Sequence, residues 1–283
     1  MKTITTIAAL RTELAQGPRP IGLVPTMGAL HTGHLSLVAR AASKCPQVVV
    51  SVFVNPTQFD DPADLRAYQR DLDSDAALAE DAGATILFAP DAGEMYPEGF
   101  ATSVTVTGPL TETLEGAQRG AQHFHGVTTV VTKLLNIVAP DVAYFGQKDA
   151  QQALVIRRLV TDLNLDVKIE VLPTVRDEDG LALSSRNARL SAADRDKAIM
   201  LHAALQAARQ AARSSDDPMQ LRTAALDTLA RAEVEPEYVA IVDPQNLSPV
   251  SHVNGAGALV AIAARIGGVR LIDNLVIEPS KET

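Results

Sequence analysis

The sequence contains a single cysteine, Cys45, and no tryptophan. One thiol excludes an intrachain disulfide, which fits a protein that works in a reducing cytoplasm. Aromatic residues make up only 4% of the chain, so the core is expected to be mostly aliphatic. With 46% hydrophobic and 21% charged residues over 283 positions, the composition predicts a globular protein with a sizeable buried core.

Long apolar runs are also missing. None approaches the roughly 20 residues that span a bilayer, and residues 1–17 lack the apolar stretch of a signal peptide. We therefore expect a soluble, cytoplasmic protein. The formal net charge of -9 argues against nucleic acid as a partner, because such binding depends on Lys and Arg at phosphates. It leaves room for a small anionic ligand held by a few local donors.

The order of the predicted elements indicates two parts. In residues 1–175, strands are predicted at 21–24, 48–54, 85–88, 142–145 and 167–172, and helices at 35–42, 64–81, 128–138 and 150–163. This alternation predicts an α/β domain with a Rossmann-like, doubly wound parallel sheet. Residues 176–283 contain two Ala-rich helical patterns at 192–213 and 218–232, then strand patterns at 238–242, 258–263 and 270–277. They predict a smaller C-terminal α+β domain.

The segment PTMGALHTGH, residues 25–34, follows the first of these strands. Ligands of open α/β sheets bind just outside the carboxyl ends of the strands. Gly28 and Gly33 would let a nucleotide approach the backbone, and the start of the next helix offers N–H groups and partial positive charge to phosphate. His31 and His34 are spaced to share one face of a helical turn, from which both imidazoles can donate to phosphate oxygens.

Two other interpretations of this histidine pair stay open: a solvated start of a helix, or two of three metal ligands. The flanking strand and the glycines favour the nucleotide site. A metal site lacks support, since no acidic residue stands at helical spacing from the pair.

The segment GQKDAQQ, residues 146–152, also follows a predicted strand and can therefore reach the same edge of the sheet. Lys148 is a point charge suited to an α-phosphate, and Asp149 could accept ribose hydroxyls. Gln152 falls one helical turn after Lys148 and could bond a polar substrate. Taken alone, the Lys-Asp pair would be interpreted as a solvated helix cap.

Two further segments are polar. LSSR, residues 183–186, offers two hydroxyls and a guanidinium, a suitable clamp for β,γ-phosphates, although such a sequence also occurs in ordinary loops. NPTQF, residues 55–59, follows the second predicted strand. Its Gln58 is a neutral donor and acceptor suited to a hydroxy acid, or else an exposed side chain in a proline turn.

Together and in this order, these segments resemble the pantoate–β-alanine ligase (pantothenate synthetase) family. The likeness covers about residues 21–277 and includes FVNPTQF, YFGQKDAQQ, DGLALSSRN and the LIDN segment at residues 271–274. PTMGALHTGH is similar to the HIGH motif of the wider nucleotidyltransferase superfamily. One such motif would be a weak signal, but the ordered set is highly specific.

The resemblance implies a two-step reaction. The pantoate carboxylate attacks the α-phosphate of ATP to give pantoyl-adenylate and pyrophosphate, and the β-alanine amine then attacks the acyl carbonyl to give pantothenate and AMP. Mg²⁺ accompanies the ATP, the family is homodimeric, and the implied partners are small molecules rather than nucleic acid or membrane. Nucleotide and pantoate would bind to residues 1–175, and residues 176–283 would carry the LSSR phosphate loop.

The resemblance also implies the site residues. ATP contacts are expected at Met27, Gly28, Ala29, Leu30, His31, Thr32, Gly33, His34, Gly146, Gln147, Lys148, Asp149, Val175, Leu183, Ser184, Ser185 and Arg186. Gln58 and Gln152 match pantoate positions, with β-alanine also near Gln58. The expected catalytic residues are His34, which has an acid role in the family, His31 and Lys148. Because the attacking carboxylate is already ionised at neutral pH, we expect these three to act chiefly by stabilising phosphate charge.

Several positions depart from the family pattern. Gln147 stands where Glu is frequent, and Ala150 where an aromatic residue is common. Ser74 interrupts an acidic stretch, residues 71–75, in which Asp75, or else Asp73, is the candidate magnesium ligand.

Two alternative functions belong to other classes. One is an HxGH nucleotidyltransferase that acts on a phosphorylated substrate, but the neutral Gln58 and Gln152 suit a hydroxy acid better than a phosphate ester. The other is a nucleotide-binding regulatory module, which the intact set of His31, His34 and Lys148 with the LSSR segment argues against.

Overall fold

The computed structural model describes residues 1–59, 71–253 and 257–278. The strands are β1 (Lys2–Ile4), β2 (Ile21–Thr26), β3 (Gln47–Val52), β4 (Ile86–Phe88), β5 (Val142–Gly146), β6 (Lys168–Leu172), β7 (Pro236–Val242), β8 (Ala258–Ile266) and β9 (Val269–Ile277). The helices are α1 (Ile7–Gln16), α2 (Thr32–Ala42), α3 (Leu72–Asp81), α4 (Ala92–Met95), α5 (Pro109–Glu112), α6 (Glu115–Arg119), α7 (Ala121–Val138), α8 (Ala150–Asp162), α9 (Ala192–Ala211) and α10 (Pro218–Arg231). None of the described helices combines the length and the apolar character needed to cross a membrane.

The chain divides into two compact units. The first comprises Met1–Gln147 and Gln152–Pro173, and the second comprises Lys148–Gln151 and Thr174–Thr283. The sequence places a domain boundary at residue 175 and does not anticipate that Lys148–Gln151 groups with the later part of the chain. What each part binds stays a prediction.

The first unit is built on a six-stranded parallel sheet with the strand order β1-β4-β3-β2-β5-β6. From β2 the chain adds β3 and β4 on one side, and it later adds β5 and β6 on the other. This reversal puts the topological switch point between β2 and β5. The predicted α/β class with a Rossmann-like sheet is confirmed.

Helices cover both faces of this sheet, and its central strands are therefore buried on both sides. Val49 on β3 packs in a cluster with residues of α1, α7 and α8, whereas its neighbours Val48 and Val50 pack in a second cluster with α2 and α3. Successive residues of a strand point to opposite faces, so a continuous run of valines supplies both cores. The second cluster also contains Cys45, which is buried beside the hydroxyl of Tyr144.

Some elements of the first unit differ from the sequence prediction. The strand β1 and the helix α1 are not predicted, since β1 has only three residues and they are largely exposed. Helix α7 begins at Ala121 rather than at residue 128. Its first turns contain histidines and a glycine, which are weak helix formers, so tertiary packing rather than propensity sets its start. The predicted helix over residues 64–81 is described only from Leu72, and residues 64–70 lie outside the described ranges.

The second unit packs α9 and α10 against an antiparallel sheet of order β7-β8-β9. Leu205 and Leu229 are fully buried in its core, and Ala204, Ala208 and Ala225 are buried with them. These small side chains let the two helices approach closely. The α+β prediction for this part of the chain is confirmed.

Candidate active site

The loop after β2 adopts a backbone conformation that is rare for residues with a Cβ atom. Gly28 has a φ of 85° and Ala29 a φ of 52°. The carboxylate of Asp75, on α3, holds this loop: one oxygen accepts from the N–H of Ala29 at 3.0 Å and the other from the N–H of Leu30 at 2.7 Å. Asp75 is 2% exposed, so these bonds are protected from water. They fix the chain just before the histidine pair.

This contact bears on the assignment of Asp75 to magnesium. Both of its carboxylate oxygens already accept backbone N–H groups. Across the described residues, no group of three His, Cys, Asp or Glu could hold a metal ion. The side chains around Asp75 therefore do not fit a resident metal ion. The role of Asp75 as a magnesium ligand stays a prediction without support from the geometry.

His31 and His34 lie side by side at the start of α2. Their ring centroids are 4.1 Å apart, with the planes inclined at 31°. His31 is the N-cap rather than part of the helix, and its Nδ1 accepts from the N–H of Gly33 at 3.2 Å. In the neutral ring an accepting Nδ1 puts the proton on Nε2, which can then donate to an anion. The pair thus combines with the N-terminal N–H groups of a helix, a favourable place for phosphate.

The turn after β3 is organised by Asn55, which is 1% exposed. Its amide nitrogen donates to Gln58 Oε1 and to the carbonyl of Gly126, each at 3.1 Å. Its amide oxygen accepts from the hydroxyls of Thr57, at 2.9 Å, and of Tyr96, at 2.8 Å. Burial raises the pKa of Tyr96, so its hydroxyl keeps the proton that it donates. A saturated network of this kind holds the Gln58 side chain in one orientation.

Gln58 in turn reaches the loop after β2, with its Nε2 at 3.0 Å from Met27 Sδ. Helix α7 closes over the turn: His123 Nδ1 lies 2.9 Å from the carbonyl oxygen of Gln58. At Gly126 the helix backbone itself lies against the turn, and an added Cβ would come within 2.4 Å of the Thr57 carbonyl oxygen. Sequence reasoning assigns neither His123 nor Gly126 to the site. It interprets His123 and His125, on either side of Phe124, as part of a structural turn, with a metal site as the alternative.

The segment after β5 begins at the same edge of the sheet. Because β5 pairs in parallel with β2, the residues that follow Gly146 and those that follow Thr26 leave from neighbouring carboxyl ends. Gln147–Asp149 form a 3-10 turn that leads into α8. Gln152 lies in the first turn of α8 and is half-buried.

The second unit contains the LSSR segment at the end of a tight hairpin. The N–H of Leu183 donates to the carbonyl of Val175 at 3.0 Å, and Arg176 forms a bridge with Ala182. Ser184 caps the 3-10 helix Ser185–Arg189 by accepting from the N–H of Arg186. The hairpin and the 3-10 helix thus hold the backbone of Val175 and of residues 183–186 in an ordered conformation.

The predicted ATP-binding residues are divided between the two units. Residues 27–34, Gly146 and Gln147 belong to the first unit, and Lys148, Asp149, Val175 and residues 183–186 belong to the second. The Lys148 side chain is 18% exposed, and its amino group lies 3.3 Å from Asp149. Each set is internally ordered by hydrogen bonds, but their roles in binding stay predictions.

A parallel sheet with a phosphate-suited loop at its switch point is the arrangement of nucleotide-binding α/β proteins. Comparison with known proteins defines the class further: the sequence profile described as Pantoate-beta-alanine ligase matches residues 1–276. The chain belongs to this family.

Its relatives are similar over their whole length. The pantothenate synthetase of Rhizorhabdus wittichii is 51% identical over 284 residues, covering 99% of this chain and 100% of that protein. That of Thermus thermophilus is 51% identical over 281 residues, with the same coverage of 99% and 100%.

Solved structures give the same result. The crystal structure of pantothenate synthetase from Thermus thermophilus superposes with a TM-score of 0.92 at 50% identity, covering 99% of this chain and 100% of that chain. The Francisella tularensis pantoate-beta-alanine ligase, complexed with beta-gamma ATP and beta-alanine, superposes with a TM-score of 0.79 at 34% identity. It covers 98% of this chain and 97% of its own.

The two hydrogen bonds that the Asp75 carboxylate accepts from Ala29 and Leu30, here called the Asp75 clamp, lead to a testable prediction. Asp75→Asn replaces one accepting oxygen by an amide nitrogen that opposes a backbone N–H, so the free energy of unfolding should fall by about 1–3 kcal/mol. Loss of the loop conformation should also lower ligase activity. The matched control is Asp81→Asn, an exposed carboxylate at the last residue of the same helix. Denaturant unfolding and steady-state kinetics measure both effects, and equal behaviour of the two variants would contradict the clamp. The Mg²⁺ concentration for half-maximal rate should not change in Asp75→Asn. If Asp75 were a magnesium ligand, its replacement would raise this concentration.

The contact of Gly126 with the Gln58 turn makes a second prediction. Gly126→Ala suits a helix, but its Cβ must displace the turn, and kcat/KM for pantoate should fall by about 10–100-fold. Gly93→Ala is the control, because an added Cβ there meets only Asp91 Oδ1 at 3.4 Å, an ordinary contact. Pantoate kinetics of both variants at saturating ATP provide the measurement. Parent-like values for Gly126→Ala would show that the turn does not need this close approach.

Proposed function

We propose that this chain, a ligase of pantothenate biosynthesis, joins pantoate to β-alanine through a pantoyl-adenylate and releases pyrophosphate and AMP. The observation that carries the mechanism is the clamped loop after β2, which presents two adjacent imidazoles at the start of α2 and has Gln58 against Met27. A surface that can bind phosphate, next to a neutral amide, matches a nucleotide whose α-phosphate reacts with a hydroxy acid.

ATP and β-alanine enter the proposal through the Francisella tularensis ligase, which is complexed with beta-gamma ATP and beta-alanine. We assign ATP to residues 27–34, 146–149 and 183–186 together with Val175. Pantoate is assigned to Gln58 and Gln152, and β-alanine to the neighbourhood of Gln58.

In the first step a carboxylate oxygen of pantoate forms a bond with the α-phosphorus while the bond to pyrophosphate breaks. The carboxylate is ionised at neutral pH, so the step needs no base. Negative charge grows on the phosphate oxygens. In the proposal His31, His34 and Lys148 stabilise it, and each such donor contributes about 10²–10³ in rate.

In the second step the neutral amine of β-alanine attacks the acyl carbon, the bond to AMP breaks, and the nitrogen loses a proton. The reaction needs the acyl carbon in a fixed orientation. Gln58 can provide it, since its own amide is held by Asn55 and lies against Met27.

Three further parts of the proposal come from the family resemblance. Mg²⁺ accompanies ATP, whose phosphates would hold the ion together with several of its own waters. The chain forms a homodimer. It works in the cytoplasm, in agreement with its single, buried cysteine.

Product analysis tests the reaction. With ATP and pantoate alone we expect pyrophosphate but little AMP, and added β-alanine should release AMP and pantothenate in equal amounts. The control omits pantoate and should give neither product. Binding of ATP without turnover would favour the regulatory module. Pyrophosphate that requires a phosphorylated substrate, and not pantoate, would favour the alternative nucleotidyltransferase.

The charge-stabilising role of His34 is tested by positional isotope exchange in ATP with pantoate present. His34→Ala should slow exchange by about 10²–10³. His34→Gln keeps an N–H donor that cannot titrate, so it should retain more exchange than the alanine variant. His252→Ala, at an exposed histidine, is the control. Near-normal exchange in His34→Ala would overturn the assignment.

A further inference from the structure

The LIDN segment on β9 contains two polar side chains that are nearly inaccessible to water. Asp273 is 3% exposed and Asn274 is 5% exposed. Burying such groups costs free energy unless they are hydrogen-bonded, so their partners show what the position is used for. Neither residue is assigned a role in the reaction proposed above.

Asp273 forms a bidentate ion pair with Arg176. Arg176 Nη1 lies 2.6 Å from Asp273 Oδ2, and Nη2 lies 2.9 Å from Oδ1. Nη1 also donates to the carbonyl of Gly180 at 3.1 Å. Since Arg176 pairs with Ala182 across the hairpin, one guanidinium holds both the base and the tip of the hairpin that runs into residues 183–186.

The other ion pairs of this hairpin are much more exposed. Arg195 on α9 contacts Asp177 at 2.6 Å and Asp179 at 2.7 Å, with the side chains about one third exposed. Exposed pairs of this kind contribute little, because water screens them. A buried, bidentate pair is strongly directional, and removing one partner leaves a buried charge. Among the ion pairs of the hairpin, we therefore expect the one between Arg176 and Asp273 to fix its position most strongly.

Asn274 makes the second connection. Its Nδ2 donates to the carbonyl oxygen of Lys148 at 2.8 Å, across 126 residues of sequence. Its backbone N–H donates to Asp273 Oδ1 at 2.7 Å, the oxygen that also accepts from Arg176. A continuous hydrogen-bonded chain thus runs from the Lys148 backbone through β9 to the hairpin.

We propose that Asp273 and Asn274 are positioning residues for adenylate formation. They fix the main chain at Lys148 and the hairpin before residues 183–186, the two groups of phosphate contacts that the second unit contributes. This inference rests on the proposed function, in which both groups bind ATP. Asp273 and Asn274 touch no reacting atom, so their effect passes through the placement of those contacts.

The test compares the parent chain with Asn274→Ala and Arg176→Lys. The first removes the donor to Lys148, and the second keeps the charge but loses the planar fork. Displaced phosphate contacts should raise the KM for ATP and lower kcat for pyrophosphate formation, by up to about 10²-fold for a shift of 1 Å. The KM for pantoate should stay at the parent value, because Gln58 and Gln152 belong to the first unit.

The matched control is Asn246→Ala, at an exposed asparagine in the turn after β7. Thermal unfolding and circular dichroism give the folded fraction of each variant. If Asn274→Ala does not fold, Arg176→Lys provides the test, with Arg195→Lys as its exposed control.

The outcomes are distinct. Parent-like kcat and ATP KM in the folded variants would overturn the inference alone. So would a loss that follows the folded fraction, or an equal rise in both KM values, since each is the mark of a merely structural role. A parent chain that forms no pyrophosphate from ATP and pantoate would instead overturn the proposed function, and the inference with it.

Discussion

The hydrogen bonds from the N–H groups of Ala29 and Leu30 to the Asp75 carboxylate are the constraint on which the loop of the candidate active site depends. Ala29 is in a left-handed conformation that its side chain opposes, and a buried anion compensates by binding two donors at once. With the loop in this form, His31 caps α2 and lies against His34. In the proposed mechanism the carboxylate therefore acts by holding the loop and not by contacting the substrates.

The same design recurs elsewhere in the chain. Asn55 holds Gln58 in the first unit, and Asp273 holds Arg176 in the second. In each case a polar residue that is almost fully buried satisfies its own hydrogen bonds by orienting a neighbour. The low dielectric around such groups makes an unpaired arrangement costly, and this keeps one geometry populated. Flexible, charged ligands such as nucleotides are bound with less loss of entropy by residues that are ordered beforehand.

The sequence predicts much of the fold, because runs of β-branched residues such as Val48–Val50 and the strand–helix alternation are local signals. It also predicts the pair of His31 and His34, which neighbouring positions bring together. It does not predict the clamp: Asp75 and Ala29 are separated by 46 residues, and sequence reasoning assigns Asp75 to magnesium instead. The start of α7 is missed for a related reason, since its packing at Gly126 depends on a turn far away in sequence.

The burial of Cys45 has a practical consequence. The only sulfhydryl of the chain is 3% exposed and packs in the cluster beneath α2, beside the Tyr144 hydroxyl. A reagent that modifies thiols should therefore react very little with Cys45 in the folded protein. A cysteine introduced at any exposed site would thus carry a fluorophore or spin label selectively in the otherwise natural sequence. Distances between chosen points could then be followed during turnover.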